Sequence, residues 1–66
     1  MRILFNDEPL KCDDGLTIAA LLEKLRQLKP GTALALNQQI LPREQWEHQQ
    51  VRDGDNILLF QVIAGG

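Results

Sequence analysis

A chain of 66 residues has room for one domain, spanning residues 1–66, and such a domain buries only about 60% of its unfolded surface. Its 44% hydrophobic content excludes a disordered polymer, and seven basic against nine acidic residues argue against nucleic acid as the main partner. No apolar run approaches the roughly 20 residues of a membrane span, and the start Met-Arg-Ile-Leu-Phe-Asn-Asp breaks off before any signal-peptide core, so a cytoplasmic protein away from membranes is expected.

Met1, Ile3 and Phe5 alternate with Arg2, Leu4 and Asn6, which is the period of a half-buried strand. Asn6-Asp7-Glu8-Pro9 reads as a turn, and Leu10-Lys11-Cys12 as a short returning strand. After the break at Asp13-Asp14-Gly15, Thr17 is the expected helix N-cap. Ile18, Leu21, Leu22, Leu25 and Leu28 then form one apolar helical stripe, which Pro30-Gly31 closes.

Thr32 to Asn37 is short, apolar and bounded by turn residues, as a buried strand would be. Gln38-Gln39 turns the chain, Ile40-Leu41 resumes apolar character, and Pro42 to Trp46 reads as irregular or briefly helical. Val51 marks a short edge strand. Asp53-Gly54-Asp55 is a tight turn into Ile57 to Ile63, the strongest strand of the chain. The order β-β-α-β-(β)-β gives one amphipathic helix and a mixed sheet of four or five strands. An α+β arrangement with the helix across one sheet face buries both apolar surfaces.

Ala64-Gly65-Gly66 follows the last strand. Glycine adds no packing and loses the most entropy on ordering, so this tail has no structural use. Chemically it offers a carboxylate on a slim stem, and Ile63 to Gly66 could reach roughly 13 Å beyond the sheet. A carboxylate becomes an acyl donor once ATP converts it to an acyl-adenylate. Gly15, Gly31 and Gly54 stand too far apart to form a phosphate loop, so any ATP chemistry belongs to a partner. One His (His48), one Cys (Cys12) and no Tyr also leave little with which to build an autonomous enzyme.

Ile3-Leu4-Phe5-Asn6, Thr17 before Leu21-Leu22, and Asn37 with Ile40-Leu41-Pro42-Arg43 occur in the order found in a known family. So do Trp46, Asp53-Gly54-Asp55 and Gly65-Gly66. Along essentially its whole length the sequence resembles the ThiS family of ubiquitin-like sulfur carriers of thiamine biosynthesis. The resemblance implies a β-grasp fold and no bound cofactor. It implies that a ThiF-type enzyme uses ATP to adenylate the carboxylate of Gly66. Persulfide sulfur from a cysteine desulfurase then gives a thiocarboxylate, and the thiazole synthase ThiG receives the sulfur. The chain would be a recycled co-substrate and not a catalyst. The small subunit of molybdopterin synthase shares this tail chemistry but usually has a longer chain, and Asn37 to Trp46 resembles ThiS more. A protein modifier conjugated through Gly66 and a plain interaction domain are the readings from other classes.

Alternation in the last strand sets Ile57, Leu59, Gln61 and Ile63 against Leu58, Phe60 and Val62. With the helix over the first set, Leu58, Phe60 and Val62 beside Leu4 form the expected docking patch for partner enzymes. Cys12 is read as a small core residue without function, His48 as solvated surface, and Trp46 as closing the end of the core. No cluster of residues has metal-ligand spacing.

Overall fold

A computed structural model describes residues 1–62 of the chain. Among them are strands β1 (Arg2–Phe5), β2 (Glu8–Lys11), β3 (Thr32–Leu36), β4 (Gln39–Ile40) and β5 (Asn56–Gln61), with one helix, α1 (Ile18–Lys24). The sheet order is β2-β1-β5-β3-β4. The central pair β1·β5 is parallel and the other three pairings are antiparallel.

The first hairpin is tighter than the sequence predicts and the second is shifted by one residue, because an asparagine opens each. Asn6 and Asp7 have φ of 51° and 67°, and Asn37 and Gln38 have φ of 51° and 72°. Two consecutive left-handed residues make the two-residue hairpin whose twist matches the flanking strands, and Asn tolerates that conformation well. The first turn is therefore Asn6-Asp7, and Pro9 belongs to β2 rather than to the turn. The register places Pro9 opposite Leu4, and the bond from Cys12 N–H to the Met1 carbonyl at 3.0 Å sets the parity of the ladder. Pro9 thus lies where its missing N–H would face solvent, on an edge strand that needs no donor there. The second turn is Asn37-Gln38 and not Gln38-Gln39, so β3 stops at Leu36.

The helix begins where the sequence predicts and ends sooner. Thr17 Oγ1 accepts from Ala20 N–H at 3.1 Å. Ile18 N–H donates to Gln49 O at 2.8 Å and Ala19 N–H to Trp46 O at 2.9 Å. The first three N–H groups of α1, which no helix satisfies internally, all have partners. The C-terminus falls at Lys24, although the apolar stripe runs on to Leu28. Arg26 adopts a φ of 59°, while Arg26 N–H bonds Glu23 O at 3.0 Å and Gln27 N–H bonds Leu22 O at 2.8 Å. This pair of bonds is the Schellman closure, which stops a helix through a left-handed residue. Leu28 consequently lies outside the helix and is exposed.

Ile18, Leu21 and Leu22 pack on Ile3, Leu34 and Ile57 from the covered face of the sheet, and Trp46 and Val51 close the cluster. Trp46 is buried, with its indole N–H donating to Leu41 O at 3.0 Å and the Arg43 guanidinium 4.9 Å from the ring centre. The segment before it holds a single 3-10 turn, Arg43–Gln45. Val51 is buried in the core but forms no strand. Its N–H reaches Leu16 O at 2.8 Å, and the nearby pairing is an isolated Thr17–Gln50 bridge. No helix among the described residues is long and apolar enough to cross a membrane.

Candidate functional site

The alternation of β5 divides its side chains between two environments. Ile57 is fully buried and Leu59 packs on the core, on the face beneath α1. Asn56, Leu58 and Phe60 point to the opposite face, where no helix lies. Cross-strand register brings further residues to that face, since directly paired residues share a side. Ala35 is opposite Leu58 and Ala33 opposite Phe60. Leu4 pairs with Asn56, Pro9 with Leu4, and Ile40 with Ala35.

An apolar band therefore crosses the full width of the sheet, from Pro9 and Leu4 through Leu58 and Phe60 to Ile40. Leu4 is 39% exposed, Phe60 43% and Ile40 65%, while Leu58 is half-buried. Ala33 and Ala35 lie low between the larger side chains, so Phe60 stands above its neighbours. Arg2 and Lys11, paired across β1 and β2, flank the band at the end of the sheet where β1 starts. Sequence reasoning found Leu4, Leu58 and Phe60 but missed Pro9, Ala33, Ala35 and Ile40. Those four require the strand order and register, and neither can be read from alternation within one strand.

Val62 follows β5 and is 51% exposed. Its N–H donates to Gly31 O at 2.8 Å, continuing the β3·β5 ladder by one step. On the other side of β5, Leu59 N–H donates to Asn6 Oδ1 at 2.9 Å. These two bonds hold the end of β5 from both sides, just before the chain reaches Ile63. Ile63, Ala64, Gly65 and Gly66 lie outside the described residues.

Cys12 is half-buried against the core, and loss of hydration pushes its thiol pKa up. A thiol kept protonated is a poor nucleophile. His48 is exposed, and no group of three or more His, Cys, Asp or Glu side chains among the described residues could hold a metal ion. What the domain presents is a wide apolar face and a firmly held strand end leading to Gly65-Gly66.

Comparison with known proteins agrees along the whole chain. The chain is 62% identical over 66 residues to the sulfur carrier protein ThiS of Escherichia coli strain K12, covering all of both sequences. A crystal structure of the thiamine biosynthesis protein ThiS from Geobacter metallireducens superposes with a TM-score of 0.87 at 28% identity, again over the full length of both chains. A more distant relative is the uncharacterized protein ycf40 of Porphyra purpurea, 26% identical over 66 residues that cover 93% of its length. The fold is thus the ubiquitin-like β-grasp. The family model for ThiS matches residues 3–66, and the chain belongs to the ThiS family.

Proposed function

We propose that the chain is the sulfur carrier for thiazole formation in thiamine biosynthesis, with the carboxylate of Gly66 as the group that carries sulfur. The observation that carries this reading is the 62% identity, over the full length of both sequences, to a sulfur carrier protein. Gly65-Gly66 lies within the matched region. In the proposed cycle the Gly66 carboxylate oxygen attacks the α-phosphorus of ATP held by a ThiF-type enzyme, and pyrophosphate leaves. Persulfide sulfur supplied by a cysteine desulfurase then attacks the acyl carbon and AMP departs. Thiol cleavage of the acyl disulfide leaves the thiocarboxylate, which delivers its sulfur to ThiG in the cytoplasm. The carrier returns as a carboxylate, so it is a co-substrate of its partners.

The fold supports this division of labour. A slim glycine stem enters a partner's active site while the apolar face bearing Leu4, Leu58 and Phe60 docks outside it. Val62, at the root of the stem, completes the contact. Deleting Gly66 moves the carboxylate by about 3.3 Å, and misplacement of even 1 Å can cost on the order of 100-fold in rate. ATP–pyrophosphate exchange with the cognate adenylating enzyme should therefore collapse in the Gly66-deleted chain, while its melting curve stays at the wild-type position. Exchange at the wild-type rate would overturn the tail-carboxylate mechanism. Intact mass from thiamine-starved cells should show one oxygen replaced by sulfur, and a ladder of conjugates would point to a modifier instead.

A further inference from the structure

We infer that Asn6 is a positioning residue for the carrier's tail, with its side-chain oxygen fixing the direction in which β5 delivers residues 63–66 to a partner. The inference rests on the carrier reading above. The backbone of β1 pairs with β5 only through Leu4–Asn56 and Phe5–Ile57, after which the chain turns away toward β2. The parity of the β3·β5 ladder, set by Asn37 N–H to Asn56 O and Val62 N–H to Gly31 O, turns Phe60 and Val62 toward β3. Leu59 and Gln61 present their backbone groups to the opposite side, which β1 has vacated.

Asn6 fills that side. Its backbone N–H donates to Ile57 O at 2.9 Å, and its Oδ1 accepts from Leu59 N–H at 2.9 Å. The side chain thus acts as one more rung of a strand whose backbone has already left. Asn serves both needs at this position, a φ of 51° for the turn and an acceptor for β5. With Asn6 on one side and Gly31 on the other, the strand end is held at Leu59 and at Val62. Without Asn6 the last residues of β5 would be held from the β3 side alone, and the direction in which the strand leaves the sheet would be less firmly fixed. Asn6 bonds in the plane of the sheet, away from the apolar face, so docking itself should not depend on it.

The test compares Asn6→Gly with Asn6→Asp. Gly keeps the turn, because it adopts positive φ freely, and removes only the acceptor. Asp keeps both the acceptor and a tolerance for the turn. In the Asn6→Gly chain, amide exchange at Leu59 should accelerate roughly tenfold, the scale of one lost hydrogen bond. The kcat for pyrophosphate exchange should fall roughly three- to tenfold through looser placement, with the carrier's KM nearly unchanged and the domain still folded at the assay temperature. Asn6→Asp should restore slow Leu59 exchange and kcat together. A Gly variant with wild-type kcat, or an Asp variant as impaired as Gly, would overturn the inference, and so would unaltered Leu59 exchange in the Gly variant. A wild-type chain unable to support exchange would count against the carrier reading, while Leu59 protection would still test the latch.

Discussion

Asn37 and Asp55 are joined side chain to side chain across the start of β5. Asn37 Nδ2 donates to Asp55 Oδ1 at 3.1 Å, and Asn37 Oδ1 accepts from Asn56 N–H at 2.9 Å. Asp55 Oδ2 in turn accepts from Arg52 N–H at 2.8 Å. Asp55 is only 8% exposed, so its carboxylate is tolerated because both oxygens are occupied. The hairpin β3–β4 and the turn before β5 are thereby tied to one another.

Replacing Asp55 by Ala strands two donors, Arg52 N–H and the Asn37 amide. The expected loss is about 2 kcal/mol, the scale for donors left without an acceptor in a partly buried site. In a domain of this size that should lower Tm by roughly 10 °C. Asp55→Asn retains one acceptor oxygen and should melt between the two. Thermal denaturation followed by circular dichroism checks the order, and equal melting of all three proteins would show the network to be idle.

Arg26 supplies the left-handed residue that ends α1, a role glycine fills without steric cost. A non-glycine residue there costs roughly 1–2 kcal/mol, part of which glycine's greater unfolded-state entropy takes back. Arg26→Gly should therefore stabilise the domain by about 0.5–1 kcal/mol, read as a rise in the midpoint of urea unfolding. A lower midpoint would mean that the Arg26 side chain makes a contribution larger than the strain it imposes.

The four main strands, the N-cap at Thr17 and the one-helix plan were legible because each rests on local periodicity or local hydrogen bonding. The fifth strand, expected at Val51, is instead Gln39–Ile40, which at two residues is too short to show a period. The helix end was not legible either. The stripe from Ile18 to Leu28 has helical spacing, and the termination at Arg26 comes from a conformation that arginine sequences do not advertise. The first hairpin misled in a similar way, since Pro9 looks like a turn residue until the edge position of β2 is known. On the outer face, Leu4 and Phe60 could be paired by alternation, whereas Ile40 needed the β3·β4 register. Asn6 is conspicuous in sequence as a turn residue, yet its bond to Leu59 spans most of the chain and leaves no local signal.

Cys12 sits where burial raises its thiol pKa. Because the thiolate is the reactive form, a raised pKa leaves less of it at any pH below that value. Alkylation near pH 8 should accordingly be slower in the native domain than in the urea-unfolded chain, after correction for the reagent's intrinsic rate. The gap should narrow as pH rises past the folded-state pKa. Cys12→Ser should support thiocarboxylate formation at a near-normal rate, since the sulfur is proposed to reside on Gly66. Loss of transfer in a folded Ser variant would give Cys12 a part in the chemistry.

The outer face yields the most direct contrast, because β5 places similar side chains in opposite environments. Phe60 and Leu59 are adjacent, but Phe60 is exposed and Leu59 packs on the core. Phe60→Asp should cost no more than about 1 kcal/mol, the span of strand propensity at a solvent-facing site. Leu59→Asp places a charge against apolar neighbours and should unfold the domain. In pyrophosphate exchange, Phe60→Asp should raise the carrier's KM by roughly 10- to 100-fold, as expected for a central aromatic anchor. Ile40→Asp, at the edge of the band, should raise it by less than about tenfold, since peripheral contacts mainly exclude water. A folded Phe60→Asp protein with unchanged KM would remove this face from the docking surface. If Ile40→Asp were the more damaging of the two, the centre of contact would lie at the β4 edge rather than over β5.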